Sequence, residues 1–182
     1  MQPFQAGRDS LLRESPAQPL RVLVPSPIGA LGVELTGTAV TRLRIDPAEP
    51  ERSAYTPLHR IDGTDFLDEV FGRLSEYFAG ARHKLDLEFD LGACGLNGLE
   101  RHILRETAKI PYGRTRTYEA LADAIGSPGS HQHVLSVLLH NPLPIVIPCH
   151  RAVGASDVGV YVGGAERKRW LLQLEQRDEE TL

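Results

Sequence analysis

Cysteine is scarce in this chain of 182 residues: there are two, Cys94 and Cys149, and they form no CxxC pair. A zinc ribbon and a dithiol redox motif are therefore excluded, and two thiols fit a reducing cytoplasm better than a disulfide scaffold. Long apolar runs are missing as well. No segment approaches the roughly 20 residues that a membrane-spanning helix needs, so no membrane partner is expected. Residues 1–20 are polar, carry Arg8, Arg13 and Glu14, and contain no continuous apolar stretch; they read as a loose extension and not as a signal peptide. The chain also lacks an excess of positive charge. Lys and Arg number 20 against 24 Asp and Glu, a net charge of −4 with a pI of about 6.0. Attachment to nucleic acid by bulk charge alone is thereby excluded, while shape-based, salt-sensitive binding through a local face stays open. There is no internal repeat and no low-complexity tract.

What is present is ordinary for a globular protein: 41% hydrophobic and 24% charged residues, enough apolar material for a real core. The length suits one domain or two small ones sharing a core. Residues 21–24, 31–35 and 40–45 read as short strands of a small antiparallel sheet, with turns at Pro25-Ser26-Pro27-Ile28-Gly29 and Thr36-Gly37-Thr38. Residues 46–63 read as loop. Residues 64–80 are the clearest helix: Phe66, Val70, Leu74 and Phe78 recur at helical spacing, and Leu67, Phe71 and Tyr77 widen the stripe. Thr64 is its expected cap and Gly80 its expected stop. The aromatic stripe reads as core, not as a cofactor box. Residues 84–90 alternate Leu85, Leu87 and Phe89 with charged residues, as a half-buried strand does.

The second half reads as mostly helical. Leu99, Ile103, Leu104 and Ala108 make one helical face, stopped by Pro111-Tyr112-Gly113. Thr117 caps a short helix through Ala124, ended by Gly126. Ser127 before Pro128 reads as the N-cap of a further helix with Val134, Val137 and Leu138 on its apolar side. Two short helices joined by a glycine-containing turn suggest helix-turn-helix geometry. Residues 143–147 read as a buried extended segment leading into Cys149, and Gly163-Gly164 introduces a last helix with Trp170, Leu171 and Leu174 on its apolar side.

A thiol attacks as thiolate, and an imidazole or a positive environment favours that form. His150 and Arg151 follow Cys149 directly. Adjacency alone is weak evidence, because neighbours in an extended chain point apart, and a lone buried cysteine is commonly inert packing.

The surroundings of Cys149 carry more. The run Asn141-Pro142-Leu143-Pro144-Ile145-Val146-Ile147-Pro148-Cys149-His150-Arg151 closely resembles the active-site signature of the O6-alkylguanine-DNA alkyltransferase (methylated-DNA–protein-cysteine methyltransferase) family. Ile110-Pro111-Tyr112-Gly113, Thr117-Tyr118-Glu119-Ala120-Leu121-Ala122, Tyr161-Val162-Gly163-Gly164 and Arg167-Lys168-Arg169-Trp170-Leu171-Leu172 stand in the family's order. Ser26-Pro27-Ile28-Gly29 resembles the start of the N-terminal lobe in bacterial members. The likeness runs from about Arg21 to Glu175.

That resemblance implies an α+β fold. A small N-terminal α/β lobe with an antiparallel, ribonuclease H-like sheet (residues 21–92) is followed by a linker (93–98). A mostly helical C-terminal lobe (99–176) then carries a helix-turn-helix or winged-helix-like DNA-binding element, and 177–182 form a tail. It implies a self-inactivating DNA repair protein: Cys149 is nucleophile and final alkyl acceptor, His150 its base through a water, and Glu175 the residue that orients His150. Asn141 braces the turn before the active-site strand. Tyr118 presses on the phosphate of the flipped nucleotide and helps protonate the leaving guanine. Tyr161, Val162, Gly163 and Arg151 are expected near the base or the DNA, with Ser127, His131 and Gln132 on the DNA-reading side. The partner implied is duplex DNA bearing O6-alkylguanine, contacted in the minor groove by a monomer in the cytoplasm. No cofactor is expected, and no metal: His59, His83 and Cys94 lack ligand spacing.

The departures fall on the DNA-reading element. Where the family's recognition helix carries an arginine, this chain has Gln132, between His131 and His133; where a small glycine is common it has Leu135. Leu99-Glu100 and Ile103-Leu104 replace Phe-Gln and Val-Trp pairs. Gln132 lacks the fixed charge and planar fork of arginine, and His131, His133 and His140 are candidates for titratable charge on that face. Two readings follow: a repair alkyltransferase with a modified recognition helix, or an alkyltransferase-like relative that binds lesions for signalling or takes alkyl groups from another substrate. A thiol hydrolase reading has no acyl site to support it.

Overall fold

The computed structural model describes residues 19–37, 39–58 and 65–179. Thr64 and His59, named above as a cap and a candidate ligand, lie outside the described residues, as does nearly all of the N-terminal extension.

Three strands form an antiparallel meander. β1 (Leu20–Val24) pairs with β2 (Leu31–Thr36), and β2 with β3 (Ala39–Ile45). A two-residue β4 (Thr56–Pro57) from the expected loop adds to β1 in parallel, so the sheet order is β3-β2-β1-β4. Val22 and Val24 alternate inward as a half-buried strand requires. Val40 and Leu43 are both buried although three apart, which strict alternation forbids. The register slips between Glu34 and Leu35, pairing Glu34 with Arg42 but Leu35 with Val40. That bulge turns both apolar side chains to the core face.

Helix α1 (Asp65–Phe78) covers the sheet with Leu67, Val70, Leu74 and Tyr77, and Gly80 ends the run at φ 76°, a conformation only glycine adopts without strain. The segment after it is not the expected strand. Leu85 and Leu87 are buried, but only Phe89 makes an isolated bridge, to Val40, and Asp86 has φ 49°. Alternation reported the burial of Leu85 and Leu87 correctly, but Phe89, expected on the same side, is exposed. No neighbouring strand offers a ladder there, and a residue with positive φ breaks the pleat.

The C-terminal half opens with α2 (Gly98–Ala108), whose start is fixed by a reciprocal capping box between Asn97 and Glu100. Its buried face is Ile103, Leu104 and Thr107. Leu99 and Ala108, expected on that face, are exposed; Thr107 replaces them by donating its hydroxyl to the Ile103 carbonyl. β5 (Arg116–Thr117) leads into α3 (Tyr118–Ala124), capped by Thr117 Oγ1 accepting from the Ala120 amide as expected. Ser127 does not cap the next helix. Gly129 takes φ 85°, Ser130 folds back to donate its hydroxyl and amide to the Ser127 carbonyl, and α4 (His131–Leu139) begins only after this turn. α3 and α4 pack on each other as a helix-turn-helix. β6 (Ala152–Val153) pairs in parallel with β5, and α5 (Ala165–Glu179) closes the chain, running three residues into the expected tail.

One hydrophobic cluster runs through both halves, from Val22 in the sheet to Leu171 in α5. Polar ties reinforce it: the Leu43 amide donates to the Pro142 carbonyl at 2.8 Å, and Arg167 donates to the Ile28 carbonyl at 2.6 Å and to Asp46 at 2.8 Å. The architecture is α+β, as the sequence implied. No helix among the described residues is long and apolar enough to cross a membrane.

Candidate active site

The segment between α4 and Cys149 was expected to be extended; it is a tight buried turn. The Ile147 amide returns to the Leu143 carbonyl at 2.8 Å, and Ile145 sits at φ 75°. A β-branched residue in that region stores strain of about 1–3 kcal/mol and needs surroundings that impose it. Asn141 imposes it. Its Oδ1 accepts from the Leu143 amide at 3.0 Å, and its Nδ2 donates to the Ile147 carbonyl at 3.0 Å and to Cys149 Sγ at 3.1 Å. One buried side chain thus holds both ends of the turn and the sulfur.

Cys149 is buried and opens a single 3-10 turn, Cys149–Arg151, in place of the expected strand. Burial pushes its thiol up to about 11, against the Asn141 hydrogen bond and the charge of Lys168, which pull it down. The thiol at rest holds its proton.

The turn directs His150 and Arg151 into the protein, toward α5. Glu175, 1% exposed, is the hub. Its Oε1 accepts from His150 Nε2 at 2.9 Å, Arg151 Nη2 at 2.8 Å and Tyr77 Oη at 2.7 Å; its Oε2 accepts from Arg151 Nε at 2.9 Å and the Gly113 amide at 3.2 Å. Burial raises the carboxyl's pKa, but the bonds and charges of His150 and Arg151 outweigh it and hold the group at about 2. Burial lowers the pKa of His150, with Glu175 opposing, so the imidazole is neutral near pH 7. Since Nε2 faces a carboxylate, the proton is assigned there. Nδ1 is left as an acceptor, buried and without a protein partner.

Arg151, expected at the DNA, is instead spent on Glu175 and on the Ile110 carbonyl at 2.7 Å. A guanidinium committed to internal partners is an interior brace, and that expectation is corrected. Tyr118 is also buried. Its hydroxyl donates to the Val160 carbonyl at 3.3 Å and accepts from the Val160 amide at 3.1 Å and from Lys168 Nζ at 3.3 Å. Gly159 makes this fit possible: at φ 68°, a Cβ there would lie 2.1 Å from the Tyr118 hydroxyl oxygen. Tyr161 is buried edge-on to His150, its hydroxyl without a partner, while Val160 and Val162 beside it are 43% exposed. Gly163 is likewise forced, since a Cβ would press to 2.9 Å from the Tyr161 ring. Ser127 and His131 are half-buried, and Gln132 and His133 are exposed on α4.

Two residues that sequence reasoning passed over complete the site. Lys168 is fully buried in α5, donating to the carbonyls of Ala152 at 2.6 Å and Val160 at 2.9 Å. Burial lowers its pKa to about 8, with Cys149 and Asp157 opposing. Its spacing to Leu171 and Glu175, three and seven residues on, was a readable signal that all three share one helical face. Tyr77 was assigned to the core. The signal there was its hydroxyl, which a buried tyrosine must satisfy. Among the described residues, no group of three or more His, Cys, Asp or Glu side chains is arranged to hold a metal.

Fold and site together define a class of protein: a thiol buried next to a His–Glu pair, seated behind a helix-turn-helix. Residues 98–177 match the family model for the DNA-binding domain of 6-O-methylguanine DNA methyltransferase. A relative from Mycobacterium tuberculosis H37Rv, a methylated-DNA–protein-cysteine methyltransferase, is 39% identical over 156 residues, covering 84% of this chain and 90% of the relative. The crystal structure of the M. tuberculosis O6-methylguanine methyltransferase superposes with a TM-score of 0.76 at 35% identity, over 88% of this chain and 94% of that one. A structure of the M. tuberculosis protein in complex with DNA gives 0.75 at 36% identity, over 87% and 93%. The chain belongs to the methylated-DNA–protein-cysteine methyltransferase family.

Proposed function

We propose that this chain is a DNA repair alkyltransferase that moves the alkyl group of an O6-alkylguanine onto Sγ of Cys149, once per molecule. The observation that carries this reading is the buried sulfur held by Asn141, two residues from the turn it fixes and one residue from a His–Glu pair with a free imidazole nitrogen.

The target carbon is out of reach inside a duplex, so the nucleotide is rotated out at a cost of a few kcal/mol. The thiol gives its proton to His150 Nδ1 through a water, and anionic Glu175 stabilises the imidazolium that results. The sulfur–carbon bond forms as the carbon–O6 bond breaks, and the electron pair passes into the purine, which takes a proton. Tyr118, next to Lys168 Nζ, is the donor for that proton. One proton leaves the thiol and one joins the guanine, so the step balances without a cofactor. A thioether is a poor leaving group, and the protein is consumed. Tyr161 and the backbone of 160–163 flank the extruded base, whose apolar approach is made by Val160 and Val162. We read the chain as a monomer that reaches the lesion from the minor groove in a reducing cytoplasm, where the thiol stays free.

The outer face of α4 favours a second reading. Gln132 and His133 are exposed where the family has a fixed positive charge, so an alkyl acceptor serving something other than duplex DNA stands beside the first. The deciding experiment is intact-protein mass after incubation with a duplex containing O6-methylguanine, alongside Cys149→Ala. A one-methyl gain that requires Cys149 supports repair of duplex DNA. Alkylation by free O6-benzylguanine without any gain from the duplex supports the second reading, and no gain from either removes both.

A further inference from the structure

The alkyl-transfer scheme gives no role to Tyr77, yet this side chain enters the proton path from the other lobe. It sits in the last turn of α1, 1% exposed, with its ring edge-on to Phe78 and Tyr112. Its hydroxyl lies 2.7 Å from Glu175 Oε1 and 3.4 Å from His150 Nε2. One arrangement of hydrogens satisfies all three groups. The carboxylate accepts only, so the phenol donates to Oε1. The phenol keeps its proton, because burial first and Glu175 second hold its pKa well above the ordinary value. Its oxygen lone pair is then turned toward Nε2–H, leaving Nδ1 as the free acceptor. Oε1 accepts three donors in all, and each one drawing on the same oxygen weakens the hold of the others.

We propose that Tyr77 is a positioning residue for the alkyl transfer. By donating to Glu175 Oε1 and facing His150 Nε2, it locks the imidazole in the tautomer that presents Nδ1. It also draws charge density off the carboxylate, which weakens the hold of Glu175 on an imidazolium at His150. The proposal rests on the reading of His150 as the base for Cys149. It makes the N-terminal lobe a participant in the chemistry, because the last turn of α1 supplies a hydrogen bond that nothing in the C-terminal lobe replaces.

The test replaces one hydroxyl and then strengthens it. Tyr77→Phe keeps the ring; 3-fluorotyrosine at position 77 is nearly isosteric and a stronger donor. For each full-length variant, two quantities are read: the imidazole nitrogen signals of His150 against pH by NMR, assigned with His150→Gln, and the single-turnover alkylation rate against pH. With the hydroxyl gone, the carboxylate holds the imidazolium more strongly. His150 then titrates at higher pH, the acid limb of the rate profile moves with it, and the rate near neutral pH falls roughly tenfold, as loss of one hydrogen bond to a charged group implies. The fluorinated variant shifts the titration the opposite way. A lower rate with His150 titrating as in the unaltered protein makes Tyr77 a packing residue and overturns the proposal, as does a shift of the same sign in both variants. If Tyr77→Phe does not fold, the fluorinated variant decides alone. If the unaltered protein takes no alkyl group from DNA, the repair reading fails, while the imidazole titration, measured without DNA, still decides what Tyr77 does.

Discussion

Two surfaces of the C-terminal half meet at Cys149, and they are built by opposite rules. On the inner side every polar group of Asn141, Arg151, Lys168 and Glu175 named above has a partner, and all four side chains are buried. On the outer side, α4 runs His131-Gln132-His133-Val134-Leu135-Ser136-Val137-Leu138-Leu139 with no formal charge and no side-chain hydrogen bond at its N-cap. The inner network is over-determined: the turn, the thiol and the imidazole cannot move separately. The outer face is constrained only by the buried row Val134, Val137 and Leu138, so its exposed positions are free to vary without disturbing the fold. The inner network and the outer face are therefore separable, and Gln132, the exposed departure from the family pattern on α4, sits where substitution is cheap, whereas Ile103 and Leu104 lie in the core.

The largest expected effect tests the inner network. Glu175→Gln strands the guanidinium of Arg151 among buried neighbours, and a broken buried pair costs about 3–5 kcal/mol. Denaturant unfolding should show a loss of that order; a loss below about 1 kcal/mol means the network is not over-determined. Asn141→Ala removes two donors and an acceptor at once, leaving the Leu143 amide buried without its partner and the Ile147 carbonyl with the Cys149 amide as its remaining donor, at about 2–4 kcal/mol. It should also slow Cys149 alkylation by free O6-benzylguanine by roughly a hundredfold, because the left-handed Ile145 loses what holds it. An unchanged rate would detach Asn141 from the reaction.

Acid should break the same side of the comparison first. Glu175 has its pKa depressed to about 2 from 4.5, so its contribution to stability is complete above the unfolded value and drains away as pH falls from about 4.5 through about 2. His150, with its pKa lowered by burial, adds in the same direction, since its protonation is disfavoured in the fold. Thermal unfolding scanned from pH 7 to pH 3 should show a steady loss; a flat profile would contradict the network's charge state. The smallest expected effect tests the outer face. Gln132→Arg adds one fixed charge, so the plot of log K for DNA against log salt should steepen by about 0.9, with the unfolding midpoint unchanged. No change in slope would mean that α4 does not face the phosphates.

The part of this architecture carried by periodicity and turn chemistry was legible in the chain. The meander, α1, the Thr117 cap, the Gly80 stop and the Gly126 stop followed from local rules, because each depends on a few neighbours. The misplaced elements share one cause. The segment at Leu85 and Leu87 had the alternation of a strand but no partner to pair with. Ser127 had the composition of a cap, yet Gly129 and Ser130 offered a competing turn. Residues 143–147 had the apolar run of a strand, and the side chain of Asn141 bent it into a turn. Leu99 was apolar and is exposed, because the helix is rotated to bury Thr107 instead.

By itself the sequence determined the reactive residue, its family and the order of the elements. Those reside in a contiguous signature around Cys149 and in repeats of 2 and 3.6 residues that need no distant partner. Only the tertiary structure decided what surrounds the thiol. It sent Arg151 inward to Glu175, buried Lys168 beneath Tyr118, and brought Tyr77 from the other lobe, 98 residues away, onto the carboxylate of Glu175. Local sequence can place a polar side chain on a face, but a hydrogen bond exists only where a second chain segment arrives at about 3 Å, and packing alone sets that arrival.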